Sequence, residues 1–367
     1  MSAAHGARLA RVRDRMGELG VDALLLSVGA DLPWLTGYEA MPLERLTMLV
    51  VRAGDDELPA LVVPRLEEPR VERTGGFDVV AWDETEDPVE HVAGRVGDAR
   101  VVAIGDQTWA RFALALQQQL TDRSWLPGSS VTGPLRAIKD AEEVAALRRA
   151  AAAADRVADQ LVSGEIPLVG RQEAEVSRDI GARLRAEGHD RVNFAIVGSG
   201  PNSASPHHDA GLRRIEAGDA VVCDFGGSLD GYCSDITRTV FVGEPPAEFR
   251  DLYRVLQEAQ AEAVDAAVVG TPCEDVDGVA RRIITDGGYG AHFIHRTGHG
   301  IGREAHEDPY LVGGNCEALV PGHAFSVEPG IYVSGRFGAR IEDIVVATSA
   351  GPEALNRVDH DLAVVEG

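Results

Sequence analysis

Hydrophobic and polar positions alternate between helical and strand-like spacing in the first third of the chain. Apolar side chains recur every three or four positions over residues 7–19, which predicts an amphipathic helix that ends at Gly20. Further helices are predicted over residues 87–96 and 109–120, and short apolar runs predict strands at VDALLLS, LTMLVVR, ALVVP, DVVAW and RVVAIG. Helices and strands alternate here, and the segment has no Gly-rich phosphate-binding loop. The pattern therefore indicates a small α/β domain without chemistry of its own.

The pattern changes near Gly133 and Pro134, so we predict two domains, residues 1–134 and 135–367. Asp140 begins a long Ala-rich helix with a capping-box sequence. The other predicted elements are helices over about 171–186, 246–269 and 274–286, and strands at VNFAIVG, DAVVCDFG, YCSDITRTVFVG, AFSVEPGIYV and ARIEDIVVAT. Because helices and strands come in blocks instead of strict alternation, the second domain is expected to be α+β.

The charge of the chain limits the classes of partner. The sequence contains 35 Lys and Arg residues against 59 Asp and Glu residues, a formal net charge of −24. A negative field of this size repels phosphate backbones and anionic lipids, so neither nucleic acid nor a membrane is expected as a partner. The four cysteines form no CxxC pair, no signal-peptide pattern begins the sequence, and no run approaches 18 apolar residues. We therefore expect a cytoplasmic protein.

Four acidic residues interrupt apolar runs in the second half of the chain. Asp224 ends one predicted strand and Asp235 lies in the next, and the glycines between them allow a hairpin that sets the two carboxylates side by side. Glu328 and Glu342 lie within the last two predicted strands. A carboxylate inside a strand is costly to bury without a cation or hydrogen-bond donor, and in an acidic chain a metal ion is the natural partner. The alternatives are that Asp224 only begins a turn and that Glu342 pairs with Arg340.

Three histidines lie among glycines in the segment HFIHRTGHGIGREAHEDP. His295, His299 and His306 have a spacing that would share one helix face, but the intervening glycines favour a loop or strand. They either line a cleft or are ordinary buried histidines. Oxygen-rich ligation with an imidazole suits Mn²⁺, Co²⁺ or Fe²⁺, and four carboxylates are enough for two ions. A two-ion site of this kind lowers the pKa of a water and supports hydrolysis, as in aminopeptidases.

The ordered motifs PNSASPHH, DFGGSLDGYCSDITRT, HRTGHGIGREAHEDP, SVEPGIY and RIED together resemble the metallopeptidase family that contains prolidase and aminopeptidase P. The resemblance implies a pita-bread α+β catalytic domain, preceded by the smaller α/β domain of the same two-domain proteins. It also implies a homodimer that hydrolyses Xaa-Pro peptide bonds of proline-containing peptides. The implied cofactor is a pair of divalent ions, with Mn²⁺ expected and Co²⁺, Zn²⁺ and Fe²⁺ as alternatives.

The resemblance also implies roles for individual residues. The implied metal ligands are Asp224, Asp235, His299, Glu328 and Glu342. By resemblance, Asp235 and Glu342 bridge the two ions, Asp224 completes one of them, and the remaining two ligands complete the other. The implied residues around them are His207, His295, His306 and Arg340. His207 is chosen over His208 by its distance in sequence from Asp224, and Arg340 is expected to orient the carboxylate of Glu342.

The chemistry of peptide hydrolysis at such a site makes Glu328 the candidate for proton transfer from water to the leaving nitrogen, and His295 or His306 the candidate donor to the developing oxyanion. Substrate length is open. Several prolidases carry an Arg just after the HExP motif that can hold the carboxylate of a dipeptide, and this chain has Tyr310 there. Either Tyr310, Arg303 or Arg336 takes over that function, or longer peptides are accepted. We expect an Xaa-Pro dipeptidase, with Xaa-Pro aminopeptidase as the alternative.

Three other classes are considered. A metal-free, creatinase-like hydrolase and a non-catalytic member of the fold would lack an intact ligand set, whereas all five positions here carry a competent ligand. A methionine aminopeptidase shares the ligands but usually lacks an N-terminal domain. The sequence therefore favours a metal-dependent Xaa-Pro peptidase over each of them.

Overall fold

The computed structural model describes residues 3–54, 57–73 and 76–366. The chain divides into two compact units, Met1–Arg136 and Ala137–Gly367. Gly133 and Pro134 do not interrupt the structure as the sequence suggested, because both lie inside the helix Ser129–Ala137. No helix in the described ranges is long and apolar enough to cross a membrane.

The first unit is a mixed six-stranded sheet with helices on both faces. Its elements are α1 (Ala3–Leu19), β1 (Ala23–Leu26), α2 (Asp31–Thr36), β2 (Met48–Arg52), β3 (Ala60–Pro64), β4 (Asp78–Trp82), α3 (Pro88–Val96), β5 (Val101–Ile104), α4 (Ala110–Gln119), β6 (Ser124–Pro127) and α5 (Ser129–Ala137). The strand order is β4-β3-β2-β1-β5-β6. Strand β1 is apolar throughout because Leu24 and Leu26 face one core while Ala23 and Leu25 face the other. The predicted α/β class of this unit is confirmed.

The second unit contains two larger sheets and a hairpin. Its elements are α6 (Ala141–Val162), α7 (Glu173–Ala186), β7 (Arg191–Ser199), β8 (Ala220–Leu229), β9 (Tyr232–Cys233), β10 (Ile236–Val242), α8 (Ala247–Ala266), α9 (Cys273–Asp286), β11 (Gly298–Gly300), β12 (Glu307–Leu311), β13 (Ala324–Val327), β14 (Gly330–Val333), β15 (Phe337–Arg340), β16 (Asp343–Thr348), β17 (Gly351–Ala354) and β18 (Ala363–Val365). One sheet has the order β18-β10-β8-β7 with β9 beside β8, the other the order β12-β11-β13-β16-β17, and β14 pairs with β15.

Each larger sheet has its own pair of helices. Helices α6 and α7 share a core with strands β8 and β10, and helices α8 and α9 share a core with strands β13 and β16. The capping box at the start of α6 is present, since the Asp140 side chain accepts from the N–H of Glu143 and the Glu143 side chain accepts from the N–H of Asp140. This arrangement of helices outside two sheets is the predicted α+β class.

Three of the predicted strands are broken, each at an acidic residue. Asp235 lies in the gap between β9 and β10, Glu328 between β13 and β14, and Glu342 between β15 and β16. The prediction that these residues lie inside strands is therefore wrong. At Glu328 the cause is visible in the sequence, because the next residue is Pro329, which has no N–H to continue the ladder.

The hairpin after Asp224 also differs in detail from the prediction. Gly226 and Gly227 belong to strand β8, and the turn is made by Asp230 and Gly231, with φ of 53° and 77°. Positive φ at both positions is the signature of a type I′ turn, for which Asp-Gly is a preferred pair. Gly226 is required for a different reason, since a Cβ there would lie 2.1 Å from the carbonyl oxygen of Ser234.

Candidate metal centre

A cavity of about 480 Å³ in the second unit contains all the predicted ligands. It is lined by Phe194, Ile196, Pro206, His207, Asp224, Asp235, His295, Arg296, His299, His306, Glu328, Arg340 and Glu342. The cavity also contains the predicted surrounding residues, His207, His295, His306 and Arg340. The proposed substrate-binding residues Tyr310, Arg303 and Arg336 are not among its lining residues.

The register of three strands brings Asp224 and Glu342 to opposite sides of Thr237. In the antiparallel pair β8 and β10, Asp224 lies opposite Thr237, and Thr237 forms a bridge with Glu342 on its other side. The Thr237 hydroxyl donates to Glu342 Oε2 at 2.6 Å, and the N–H of Glu342 donates to the carbonyl of Thr237 at 3.2 Å. Asp235 precedes Thr237 by two residues, so the strand break delivers a third carboxylate to the same place.

His299 faces this group from the second sheet. One ligand atom each from Asp235, His299 and Glu342 lie within 4.8 Å of one another, and all three residues are buried. The His299 Nδ1–H donates to the carbonyl of Gly300 at 3.1 Å, which leaves Nε2 as the ring nitrogen that faces the carboxylates. That Nε2 lies 3.2 Å from Glu328 Oε1 and 3.9 Å from Asp235 Oδ2.

Burial sets the electrostatics of the carboxylates. It raises the pKa of Asp235 well above its ordinary value, and the nearby charges of Glu342 and Asp224 raise it further. Burial likewise raises the pKa of Asp224 and of Glu342. Glu328 differs: burial opposes ionisation, but the hydrogen bond and charge of His299 outweigh it and lower the pKa to about 2. Mutually repelling buried carboxylates of this kind need a compensating cation.

The donor set fits divalent metal ions. The Oδ1 atoms of Asp224 and Asp235 are buried without a hydrogen-bond partner in the described structure, and a buried acceptor in that state costs about 1–3 kcal/mol. The Nε2 atom of His299 faces the same carboxylates, and once it has lost its proton it can bind a cation there. Carboxylate oxygens with one imidazole nitrogen are typical of sites for first-row divalent ions.

Arg340 does not have the partner that the sequence suggested. Its Nη2 donates to Asp224 Oδ2 at 2.5 Å, and its Nε donates to the Thr237 hydroxyl at 3.1 Å. No direct ion pair between Arg340 and Glu342 is found in the described part of the chain. The alternative that Arg340 and Glu342 form an ion pair is therefore wrong, and the predicted orienting role of Arg340 toward Glu342 stays a prediction, with the Thr237 hydroxyl as the connecting group. Arg340 positions Asp224 and reaches Glu342 only through Thr237.

Tyr332 is a site residue that sequence reasoning missed. Arg340 Nη1 donates to its hydroxyl at 2.8 Å, and that hydroxyl lies 2.9 Å from His295 Nε2. The His295 Nδ1–H donates to the carbonyl of Arg296 at 2.7 Å, so Nε2 accepts from Tyr332. Burial raises the pKa of Tyr332 to about 12 and keeps the hydroxyl protonated. The available signal was a tyrosine in the apolar run after Glu328.

The other histidines have distinct surroundings. His306 packs against His299, with ring centroids 4.0 Å apart, and no hydrogen bond to its ring nitrogens is found among the described residues. Burial, followed by the charges of His299 and Arg296, lowers the pKa of His306 to about 4. His207 lines the cavity, whereas His208 Nε2 lies 2.8 Å from Glu173 Oε2 and is engaged there.

The three residues proposed for substrate binding lie elsewhere. Arg336 forms two hydrogen bonds with Glu248 on the surface, at 2.7 and 2.6 Å. The Arg303 guanidinium lies over the Tyr232 ring, 5.3 Å from its centroid. Tyr310 is directly opposite His299 in the pairing of β11 and β12, and its ring supports the guanidinium of Arg296 at 4.4 Å. Arg296 lines the cavity and was missed in the sequence.

Comparison with known proteins agrees with this geometry. Residues 145–349 match the model of metallopeptidase family M24, and residues 8–138 match the creatinase/prolidase N-terminal domain. The chain belongs to family M24. This family M24 protein is a metallopeptidase, and the family depends on a dinuclear metal centre.

Relatives cover the whole length of this family M24 peptidase. It is 43% identical to the probable dipeptidase PepE of Mycobacterium tuberculosis over 364 residues, which are 98% of this chain and 96% of the relative. It is 35% identical to an Xaa-Pro dipeptidase of Lactobacillus delbrueckii, over 97% of this chain and 98% of that one. The solved structure of a prolidase from Thermococcus sibiricus superposes with a TM-score of 0.93 at 37% identity over 100% of both chains. The predicted pita-bread domain with a smaller N-terminal domain is thus confirmed.

Proposed function

We propose that this family M24 peptidase is an Xaa-Pro dipeptidase that works in the cytoplasm as a homodimer with two Mn²⁺ ions. The observation that carries the proposal is the convergence of four carboxylates and one imidazole in a single buried cavity. The names of the Mycobacterium and Lactobacillus relatives and of the Thermococcus structure support the dipeptidase assignment.

The placement of the donors supports the ligand set expected from the family. In this proposal Asp235 and Glu342 would be shared by both ions, Asp224 would complete the ligands of one ion, and His299 with Glu328 would complete those of the other. When bound, such ions supply Lewis acidity and lower the pKa of a water. Mn²⁺ is proposed because the donors are mostly carboxylate oxygens with one imidazole, and Co²⁺, Zn²⁺ and Fe²⁺ are the alternatives.

The chain's own groups then have separate tasks. The Glu328 carboxylate is partly open to the cavity, with 15% of its side chain exposed, and we assign it the transfer of a proton from water to the leaving nitrogen. His306 is assigned to the developing oxyanion, because no ring nitrogen of it is engaged in the described structure. The alternative donor His295 is less suitable, since both of its nitrogens already have partners.

The remaining proposals concern the setting of the enzyme. All four cysteines are free, and three of them, Cys223, Cys233 and Cys273, are buried, which supports a reducing compartment. The net charge of −24 argues against nucleic-acid and anionic-membrane partners. Light scattering of the purified chain tests the homodimer.

Substrate length separates the two candidate activities. Xaa-Pro aminopeptidase, acting on longer peptides, is favoured by one observation, that Tyr310 replaces the Arg expected after the HExP motif. The experiment is hydrolysis of Ala-Pro and Ala-Pro-Pro by enzyme loaded separately with each of the four metals. We expect faster cleavage of Ala-Pro, highest activity with Mn²⁺, and loss of activity after chelation. A tenfold or larger preference for Ala-Pro-Pro would instead identify an aminopeptidase.

A further inference from the structure

Helix α9 forms hydrogen bonds with the backbone on both sides of Arg296. Asp277 Oδ1 accepts from both the N–H and the hydroxyl of Thr297, at 3.0 and 2.8 Å. Arg281, which pairs with Asp277, donates to the carbonyl of His295 at 2.8 Å. The backbone is therefore held on both sides of Arg296, and the position of this residue at the cavity wall is built into the fold.

Among the residues that the structure describes, the guanidinium of Arg296 has no acidic partner. It rests on the Tyr310 ring, 4.4 Å from the centroid, and within the described ranges no hydrogen bond or ion pair joins it to another side chain. Arg340 is the other guanidinium that lines the cavity, and it is already bound to Asp224, Thr237 and Tyr332. In a chain with 59 acidic residues, an arginine that faces a cavity and has no carboxylate partner is available for a ligand's carboxylate.

The ring of Tyr310 supports the guanidinium of Arg296 at the cavity wall. Tyr310 on strand β12 lies opposite His299 on strand β11, so the strand that carries its ring is paired with the strand of a proposed metal ligand. A planar guanidinium stacked on an aromatic face keeps its edge N–H groups free for a bidentate contact with a carboxylate. The two other arginines considered from sequence are excluded by position, Arg336 by its exposed pair with Glu248 and Arg303 by its place over Tyr232.

We infer that Arg296, supported by the ring of Tyr310, binds the C-terminal carboxylate of the Xaa-Pro dipeptide and so determines substrate length. This inference rests on the proposed dipeptidase activity. It assigns to Arg296 the selection of a free carboxylate directly after proline, and it assigns to Tyr310 the positioning of the guanidinium. A substrate whose carboxylate is amidated or lies one residue further on loses this contact.

The test compares kcat/KM for Ala-Pro and Ala-Pro-amide in the metal-loaded full-length enzyme. We expect the wild type to prefer Ala-Pro. Arg296→Gln should lose about 10- to 100-fold in kcat/KM for Ala-Pro, mainly through KM, because a charge-assisted hydrogen bond to the substrate is removed. Its activity on Ala-Pro-amide should stay near the wild-type value. Arg336→Gln is the matched change of a surface arginine, and it should leave kcat/KM for both substrates unchanged.

Two further variants separate recognition from structure. Tyr310→Phe keeps the ring and should keep the preference for Ala-Pro, whereas Tyr310→Ala should reduce it. Arg296→Lys retains the charge without the bidentate fork and should give an intermediate preference. Metal content and Tm of each variant are measured beside the wild type, so that a folding defect is recognised; the wild-type comparison of the two substrates tests the inference even if a variant is unstable.

The outcomes distinguish the inference from the proposed function. If the wild type cleaves Ala-Pro but does not discriminate against the amide, the dipeptidase assignment survives and the role of Arg296 is rejected. Equal losses on both substrates in Arg296→Gln also reject it, because they indicate a structural effect. If the wild type does not cleave Ala-Pro with any of the metals, the proposed function fails and the inference fails with it.

Discussion

The two histidines that flank His299 along the chain differ in what their ring nitrogens touch. His295 is engaged on both sides, by the carbonyl of Arg296 and the hydroxyl of Tyr332, while the ring nitrogens of His306 have no hydrogen bond in the described part of the chain and its ring packs against His299. Of these two histidines, His306 therefore has a ring N–H available to a substrate in the described structure, and His295 belongs to the hydrogen-bond network of Asp224, Arg340 and Tyr332.

This difference predicts separate effects of alanine substitutions. His306→Ala should retain both metals and a near-normal Tm while kcat falls, because the lost contact is made to the transition state. His295→Ala should lower Tm as well as kcat, since it leaves the buried Tyr332 hydroxyl without its acceptor. Steady-state kinetics, metal analysis and thermal unfolding distinguish the two. Loss of a metal ion from His306→Ala would contradict the assignment and make this residue a ligand.

His323 does not line the cavity, and its titration is expected to make the stability of the folded chain depend on pH. Burial, followed by the charge of Lys139, lowers its pKa to about 4 from an ordinary value near 6.5. The unfolded chain thus binds a proton at His323 that the folded chain does not bind between pH 6.5 and 4. The contribution of the neutral histidine is complete above pH 6.5 and is lost as the pH falls through this window.

We therefore predict that replacing His323 flattens the acid side of the stability profile. Between pH 7 and pH 5 the wild type should lose about 1–2 kcal/mol of unfolding free energy through this residue. His323→Gln should lose correspondingly less over the same range, as measured by urea unfolding at each pH. A variant with the same pH dependence as the wild type would show that another group is responsible.

At the scale of elements, the strands were predicted better than their interruptions. The apolar runs around Asp235, Glu328 and Glu342 continue across each break because the residues on both sides are buried. Burial therefore predicts a continuous strand, although the backbone ladder stops at the acidic residue. Short elements without a marked pattern, such as β6 and β18, were missed for a related reason, since edge strands with few buried residues leave little periodicity.

The break at Asp235 depends on close contact between two strands. A Cβ on Gly226 would lie 2.1 Å from the Ser234 carbonyl oxygen, a backbone atom that cannot move without shifting Asp235. Gly226→Ala should therefore weaken metal binding and lower stability by about 1–3 kcal/mol, because an added methyl group in a close-packed interior forces the backbone to shift. Gly278→Ala in helix α9 is the control, because its added methyl group meets nothing within 4 Å. It should be neutral or stabilising by about 0.5–1 kcal/mol.

Thermal unfolding and metal titration of the two glycine variants check this prediction. Of the two variants, only Gly226→Ala should lose metal affinity. If both variants bound metal as the wild type does, the strand contact at Ser234 would not be what positions Asp235.

In the whole molecule, the site residues that could be predicted are those that belong to a recognisable local sequence pattern. The five proposed ligands each interrupt an apolar run or lie among glycines, and they were found from sequence. Arg296 and Tyr332 were not, because their roles depend on contacts between segments that the sequence does not show as near: Arg296 with Tyr310, and Tyr332 with Arg340 and His295. The wrong partner for Arg340 has the same origin, since proximity in sequence to Glu342 does not reveal that the guanidinium reaches Asp224.

The buried cluster is proposed to hold two metal ions on which hydrolysis depends. The most direct test is titration of Mn²⁺ into metal-free wild type and Asp235→Asn, with Ala-Pro hydrolysis measured at each point. We predict two ions per wild-type chain, and in Asp235→Asn a reduced occupancy with activity lower by orders of magnitude, because a charged ligand assigned to both ions is neutralised. An Asp235→Asn variant that binds two ions and cleaves Ala-Pro at the wild-type rate would contradict the account.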